Sequence, residues 1–147
     1  MAYKKIEVKP LSGALGAEVS GPDLSKKLDS QTFTEVHKAL LEHQVIFFRN
    51  QKITPQQQLR FAKHFGPIHE HPYMKGMDGC PQVLRISRTP KDPRAFGNAW
   101  HTDQMFVPTP ALGTILYGVT IPDTGGDTCF VNMYKAYDAL SPGMKKM

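Results

Sequence analysis

Apolar residues recur at helical spacing between positions 30 and 43, where Phe33, Val36, Leu40 and Leu41 fall on one helical face. Thr32 with Glu35, or Ser30 alone, is placed to cap the start of that helix. The run Val45-Ile46-Phe47-Phe48 then reads as a buried strand. A second helix follows with a strong start signal, Thr54-Pro55-Gln56-Gln57, which sets a hydroxyl at the N-cap, proline at the first helical position and glutamine at the third. Leu59, Ala62 and Phe65 give it an inward stripe, and Gly66-Pro67 ends it.

Elsewhere the pattern is that of strands and turns. Residues 3–8 read as a short strand, followed by turn-rich sequence with Gly13, Gly16, Gly21 and Pro22. Strands are expected at 83–86, 112–119 and 128–131, with a loop at 90–98 and a turn at Pro122-Asp123-Thr124-Gly125-Gly126. Asn132 is placed to cap a short helix reaching Leu140. Helices are thus expected to dominate the first half and strands the second, an α+β chain. No repeat, low-complexity stretch or Gly/Ser linker divides it.

Composition narrows the function classes. Hydrophobic content of 40% and charged content of 21% suit a globular chain, and 147 residues suffice for a core. The start Met-Ala-Tyr-Lys-Lys carries charge without an apolar stretch behind it, so no secretory signal and no membrane association are expected. Cys80 and Cys129 are far apart and unpatterned, which suggests neither a disulfide framework nor a zinc site and makes a reducing cytoplasm the default. A formal charge of +5 raises nucleic-acid binding, but the basic residues are spread along the chain. Arg85, Arg88, Lys91 and Arg94 cluster, yet Pro90 and Pro93 prevent a continuous basic helix. The cluster reads as a solvated surface or as a guide for a small anionic substrate, and no nucleic-acid partner is expected.

The chemistry concentrates at Trp100-His101-Thr102-Asp103. On a strand, residues two apart share a face, so His101 and Asp103 can project into one cavity. An imidazole beside a carboxylate makes two of the three donors in the 2-His-1-carboxylate triad that holds non-haem Fe(II) and leaves positions open for co-substrate and oxygen. Alone the pattern is weak, because in a chain of this composition chance supplies roughly a third of one His-x-Asp. Its surroundings carry more. Phe106 and Pro110 follow it, then Pro122-x-Thr124-Gly125-Gly126-Asp127-Thr128 and Ala136-Tyr137-x-Ala139-Leu140-Ser141. Upstream stand His43-Gln44-Val45-Ile46-Phe47-Phe48-Arg49, Ile53-Thr54-Pro55-Gln56-Gln57-Gln58 and Phe65-Gly66-Pro67-Ile68-His69. In these motifs and in their order, nearly the whole chain resembles the TauD/TfdA family of taurine and aryloxyalkanoate dioxygenases.

The resemblance implies a partial double-stranded β-helix (a jelly roll of the clavaminate synthase-like kind) with flanking helices. It implies Fe(II), with 2-oxoglutarate as co-substrate and O2, in a reaction that hydroxylates a substrate C–H bond and releases succinate and CO2. His101 and Asp103 would be the iron ligands, and Thr128 would hydrogen-bond 2-oxoglutarate. His71 matches a histidine facing the substrate, and Asn98 lies near a polar substrate contact. Read without the family, His69 and His71 could form a His-x-His metal pair or be loop residues, and Trp100 could wall the cavity or sit in a core. The register around Gly97-Asn98 departs from that of the taurine enzyme. The substrate class expected is a small anionic organic molecule, sulfonate-like; a homo-oligomer is left open.

One departure is large. The family pattern calls for a second iron histidine and an arginine that pairs with 2-oxoglutarate, but no histidine follows Asp103 and no arginine follows Arg94. The 147 residues are therefore expected to be one incomplete dioxygenase domain: a gene fragment, a shortened product or an incompletely predicted gene. Alone it should bind iron poorly and turn over no 2-oxoglutarate. The competing expectation is a truncated, inactive paralogue that serves as a binding or interaction module.

Overall fold

Parallel strands cannot be joined by a hairpin, and the chain solves this with a helix. In the computed structural model, which describes residues 3–89, 91, 97 and 99–147, β1 (Glu7–Pro10) pairs antiparallel with β2 (Ala17–Ser20). Helix α1 (Ser30–His43) then crosses over and returns the chain to β3 (Ile46–Phe47), which lies parallel to β2. The register sets Val8 opposite Val19 and Ala17 opposite Ile46, giving the order β1-β2-β3. These elements belong to one compact unit, Met1–Lys52 with Gly118–Met147; a second unit comprises Ile53–Tyr117.

The core of the first unit follows from two periods. Along β2, Ala17 and Val19 are buried and Ser20 is exposed. Along α1, Thr32, Val36 and Ala39 form the buried stripe, with Ile6 and Leu24 completing the core. This shifts the expected face: Phe33 and Leu40 flank the stripe, and Leu41 is 65% exposed. The cap also differs from expectation. Asp29, not Ser30 or Thr32, is the N-cap, its carboxylate accepting from the backbone N–H (2.9 Å) and hydroxyl (2.8 Å) of Thr32. Glu35 instead reaches back to the chain before β1, accepting from the N–H groups of Lys4 (2.9 Å) and Lys5 (2.8 Å). Gly21 has φ +108°, and a Cβ there would stand 3.1 Å from the Lys5 carbonyl oxygen, so the bend after β2 requires glycine.

The later part of this unit is fastened by polar contacts. Asn132 caps α3 (Met133–Asp138) by accepting from the Lys135 N–H at 3.0 Å. The Lys135 ammonium donates to the Gly13 carbonyl at 2.6 Å, and Phe130 meets Phe47 edge to face. A further helix, α4 (Pro142–Lys146), is capped by Ser141.

Within the second unit, α2 (Pro55–Ala62) carries the reciprocal box its sequence promises. Gln57 N–H donates to the Thr54 hydroxyl at 3.3 Å, and Thr54 N–H donates to the Gln57 side chain at 2.7 Å. Phe61 is buried and packs edge to face on Phe65. Gln58 donates to the Ile115 carbonyl at 3.0 Å, tying the 114–117 segment to this helix. The loop around buried Cys80 is closed by hydrogen bonds linking Met77, Cys80 and Val83.

Three expected strands are corrected. Residues 83–86, 112–119 and 128–131 form no strand, and among the described residues every strand lies in the first 50 positions. A strand exists by its neighbour, and these segments have no ladder partner here. Their alternation nonetheless persists in part: Ile115 and Tyr117 are half-buried, whereas Thr114 and Leu116 are exposed. The strand at 45–48 shrinks to Ile46–Phe47 and is half-buried rather than buried, and β2 arises where only turns were expected. The α+β class stands, but the sheet among the described residues is three-stranded and open, not a double-stranded β-helix. No helix among the described residues is long and apolar enough to cross a membrane.

Candidate metal centre

Residues 101–102 lie outside any strand and Asp103 opens a turn, so the alternation argument for a shared face does not apply as stated. The two side chains meet all the same. His101 Nε2 stands 3.2 Å from Asp103 Oδ1. The sharp reversal that follows is held by Gln104 at φ 51° and by the Val107 N–H, which donates to the Gln104 carbonyl at 3.3 Å.

The outer ends of both side chains are engaged. His101 Nδ1 lies 2.8 Å from the Ala99 carbonyl oxygen, an acceptor, so Nδ1 carries a proton and donates. In the neutral ring Nε2 is then a bare lone pair. Asp103 Oδ2 accepts from the Thr114 hydroxyl at 2.9 Å, which leaves Oδ1 toward the imidazole. Two acceptor atoms at 3.2 Å repel unless a cation lies between them. Without a metal that cation is a proton, and the His101 pKa is accordingly raised above its ordinary value of 6.5. The Ala99 carbonyl contributes most, partial desolvation opposes, and the Asp103 carboxylate adds to the rise.

The donor set also suits a divalent metal. Two bonds of roughly 2.1 Å set at a right angle place their donor atoms about 3.0 Å apart, close to the 3.2 Å observed. A backbone carbonyl fixing the tautomer and a hydroxyl holding the far carboxylate oxygen are the outer contacts that orient metal ligands. Among the described residues no three His, Cys, Asp or Glu side chains are grouped to hold a metal.

His71 accepts at Nδ1 from the N–H groups of Tyr73 (3.1 Å) and Met74 (3.2 Å). Its neutral ring therefore carries the proton on Nε2, as a donor. Tyr73 meets the His71 ring edge on at 6.3 Å and lies 6.0 Å from Phe106, the last residue of the turn that Asp103 opens. Thr128 is exposed, in the first unit, after Gly125 and Gly126, both at positive φ. Asn98 lies outside the described residues. Trp100 is 72% exposed, so it is not a core residue of this chain.

Sequence reasoning passed over Thr114, whose contact with Asp103 spans eleven positions and leaves no local signature. It also passed over Gln104, whose Oε1 is shielded from solvent and lacks a partner among the described residues, as does Nε2 of His69, weighed above as one half of a His-x-His pair.

The family described as taurine catabolism dioxygenase TauD, TfdA family matches residues 7–147. An alkylsulfatase of Acinetobacter baylyi is 40% identical over 144 residues, covering 97% of this chain and 44% of that protein. An alpha-ketoglutarate-dependent sulfate ester dioxygenase of Pseudomonas putida is 37% identical, covering 97% of this chain and 47% of that protein. The crystal structure of a taurine dioxygenase from Burkholderia xenovorans matches with a TM-score of 0.85 and 41% identity, over 97% of this chain and 50% of the other. This chain spans about half the length of the relatives it matches. By a match across residues 7–147, it belongs to the TauD/TfdA family.

Proposed function

We infer that this chain contributes His101 and Asp103 as two iron ligands of an Fe(II)- and 2-oxoglutarate-dependent dioxygenase acting on a small anionic organic molecule, a sulfonate or sulfate ester. The observation that carries this reading is the 3.2 Å approach of His101 Nε2 to Asp103 Oδ1, with the remaining polar atom of each side chain already engaged. The names of relatives that act on sulfate esters support the substrate class. The bound iron, with 2-oxoglutarate and O2, supplies the oxidising power for C–H hydroxylation; the protein supplies ligands, orientation and a shaped site.

In this reading the side chains divide the work. His101 gives a nitrogen lone pair and Asp103 one carboxylate oxygen. The Thr128 hydroxyl donates to 2-oxoglutarate. His71 donates from Nε2 to a sulfonyl oxygen of the substrate, a role for which its Nδ1 contacts favour the right tautomer. Asn98 adds a polar substrate contact, and Tyr73 with Phe106 offers an aromatic wall. The 147 residues form the first part of one dioxygenase domain, and the second histidine and the arginine come from polypeptide outside them. The share of each relative that is covered supports this, as does the lack of any histidine after His101.

The test is turnover. Residues 1–147 joined to the second half of the Pseudomonas putida relative should release succinate with Fe(II) and an alkyl sulfate or sulfonate, and His101→Ala should abolish it. The 147 residues alone should release none. Succinate release from the joined protein that survives His101→Ala would refute the reading.

A further inference from the structure

We propose that Thr114 is a positioning residue for Asp103, holding Oδ2 so that the carboxylate offers a metal only one oxygen; this rests on the reading of His101 and Asp103 as iron ligands. The two oxygens of Asp103 stand in different surroundings. Oδ1 faces His101 Nε2 at 3.2 Å, while Oδ2 accepts from the Thr114 hydroxyl at 2.9 Å. Both side chains are exposed, and a hydrogen bond between neutral and charged groups in water adds little to stability. Its effect lies in orientation.

A free carboxylate can rotate about its last bond and can bind a metal through both oxygens. Either outcome harms a site that must keep positions open, since a two-oxygen grip occupies a position needed by co-substrate or oxygen. A hydroxyl donor on Oδ2 disfavours both, because rotation breaks the bond and chelation competes for the same lone pairs. Thr114 is itself held in place. The carbonyl of the next residue, Ile115, accepts from Gln58 at 3.0 Å, and Gln58 sits on α2, whose start is fixed by the Thr54–Gln57 box. The Ile53 N–H also approaches the Tyr117 hydroxyl at 3.5 Å. Orientation of a metal ligand thus runs from a capped helix, through one amide, to one hydroxyl.

The experiment uses residues 1–147 joined to the second half of the Pseudomonas putida relative, and Mn(II), with the free aquo ion counted by its EPR signal. Thr114→Val should weaken Mn(II) binding about tenfold or more, as loss of an outer contact to a metal ligand does. Thr114→Ser should stay within about threefold of the wild type, and the thermal midpoint of both should be unchanged. Thr114→Ala replaces the valine variant if that one aggregates. Wild-type affinity in Thr114→Val or Thr114→Ala, with binding lost in His101→Ala, overturns the proposal and leaves the iron-ligand reading intact. So does a serine variant as weak as the valine one, which would make the methyl group the relevant part. Binding unaffected by His101→Ala, or absent from the wild type at millimolar Mn(II), overturns that reading and the proposal with it.

Discussion

The side-chain amide of Asn132 donates to the Ala14 carbonyl oxygen at 2.6 Å across 118 positions of sequence, and to Gln44 Oε1 at 2.9 Å. Its other end caps α3. One residue therefore joins the turn between β1 and β2, the end of α1 and the start of a later helix. Asn132→Ala should destabilise the first unit by about 1–2 kcal/mol in urea unfolding, combining a lost cap with lost hydrogen bonds. Asn132→Asp keeps the acceptor and loses the donors, so it should fall between alanine and wild type.

Acid should loosen the same unit through Glu35. Its carboxyl is held below the ordinary 4.5 mainly by the Lys5 N–H, against a desolvation cost, with help from Lys4, Gln31 and Ile6. A depressed carboxyl contributes stability that is complete above the unfolded value and vanishes as pH falls through the folded one. Wild type should therefore lose stability below about pH 4.5 more steeply than Glu35→Gln, whose own deficit appears at neutral pH. Parallel slopes in pH-resolved urea melts would contradict this.

Gly76 tests the second unit. A Cβ at this position would overlap the Pro81 carbonyl oxygen, a backbone atom that cannot swing aside. Gly76→Ala should cost about 2 kcal/mol or more and should increase hydrogen exchange at Met77, Cys80 and Val83, whose N–H groups close that loop.

Local signals were the most readable part of this chain. The Thr54–Gln57 box and the bounds of α1 were visible because capping and helical period are written within a few residues. Asp29 was missed as the cap although Asp is a favoured capping residue, because Thr32 and Glu35 offered a competing box; the Glu35 carboxylate turned instead to Lys4 and Lys5. The strands expected at 112–119 and 128–131 have the right residues, yet pairing is a long-range property that alternation cannot supply. At the site, the residue types of the His-x-Asp pair were legible, while the two contacts that orient it were not. One is a backbone carbonyl, which has no sequence signature, and the other is a threonine eleven positions away.

Without metal, His101 should titrate above 6.5, since the Ala99 carbonyl and the Asp103 carboxylate both favour the imidazolium. A raised pKa contributes stability that is present below 6.5 and lost as pH rises through the folded value. Asp103→Asn should lower the midpoint only in part, because the Ala99 contact is the larger cause. The imidazole proton shifts followed against pH measure it; a midpoint at or below 6.5 in the wild type would contradict the proton-sharing geometry.

Nitrogen-15 shifts of the six histidine rings, followed while Zn(II) is added as a redox-silent substitute for iron, address the pair itself. The prediction is a metal-induced shift at His101 Nε2 with Nδ1 still protonated, abolished by Asp103→Ala. A shift centred on His69 or His71, or a His101 ring indifferent to the metal, would contradict it.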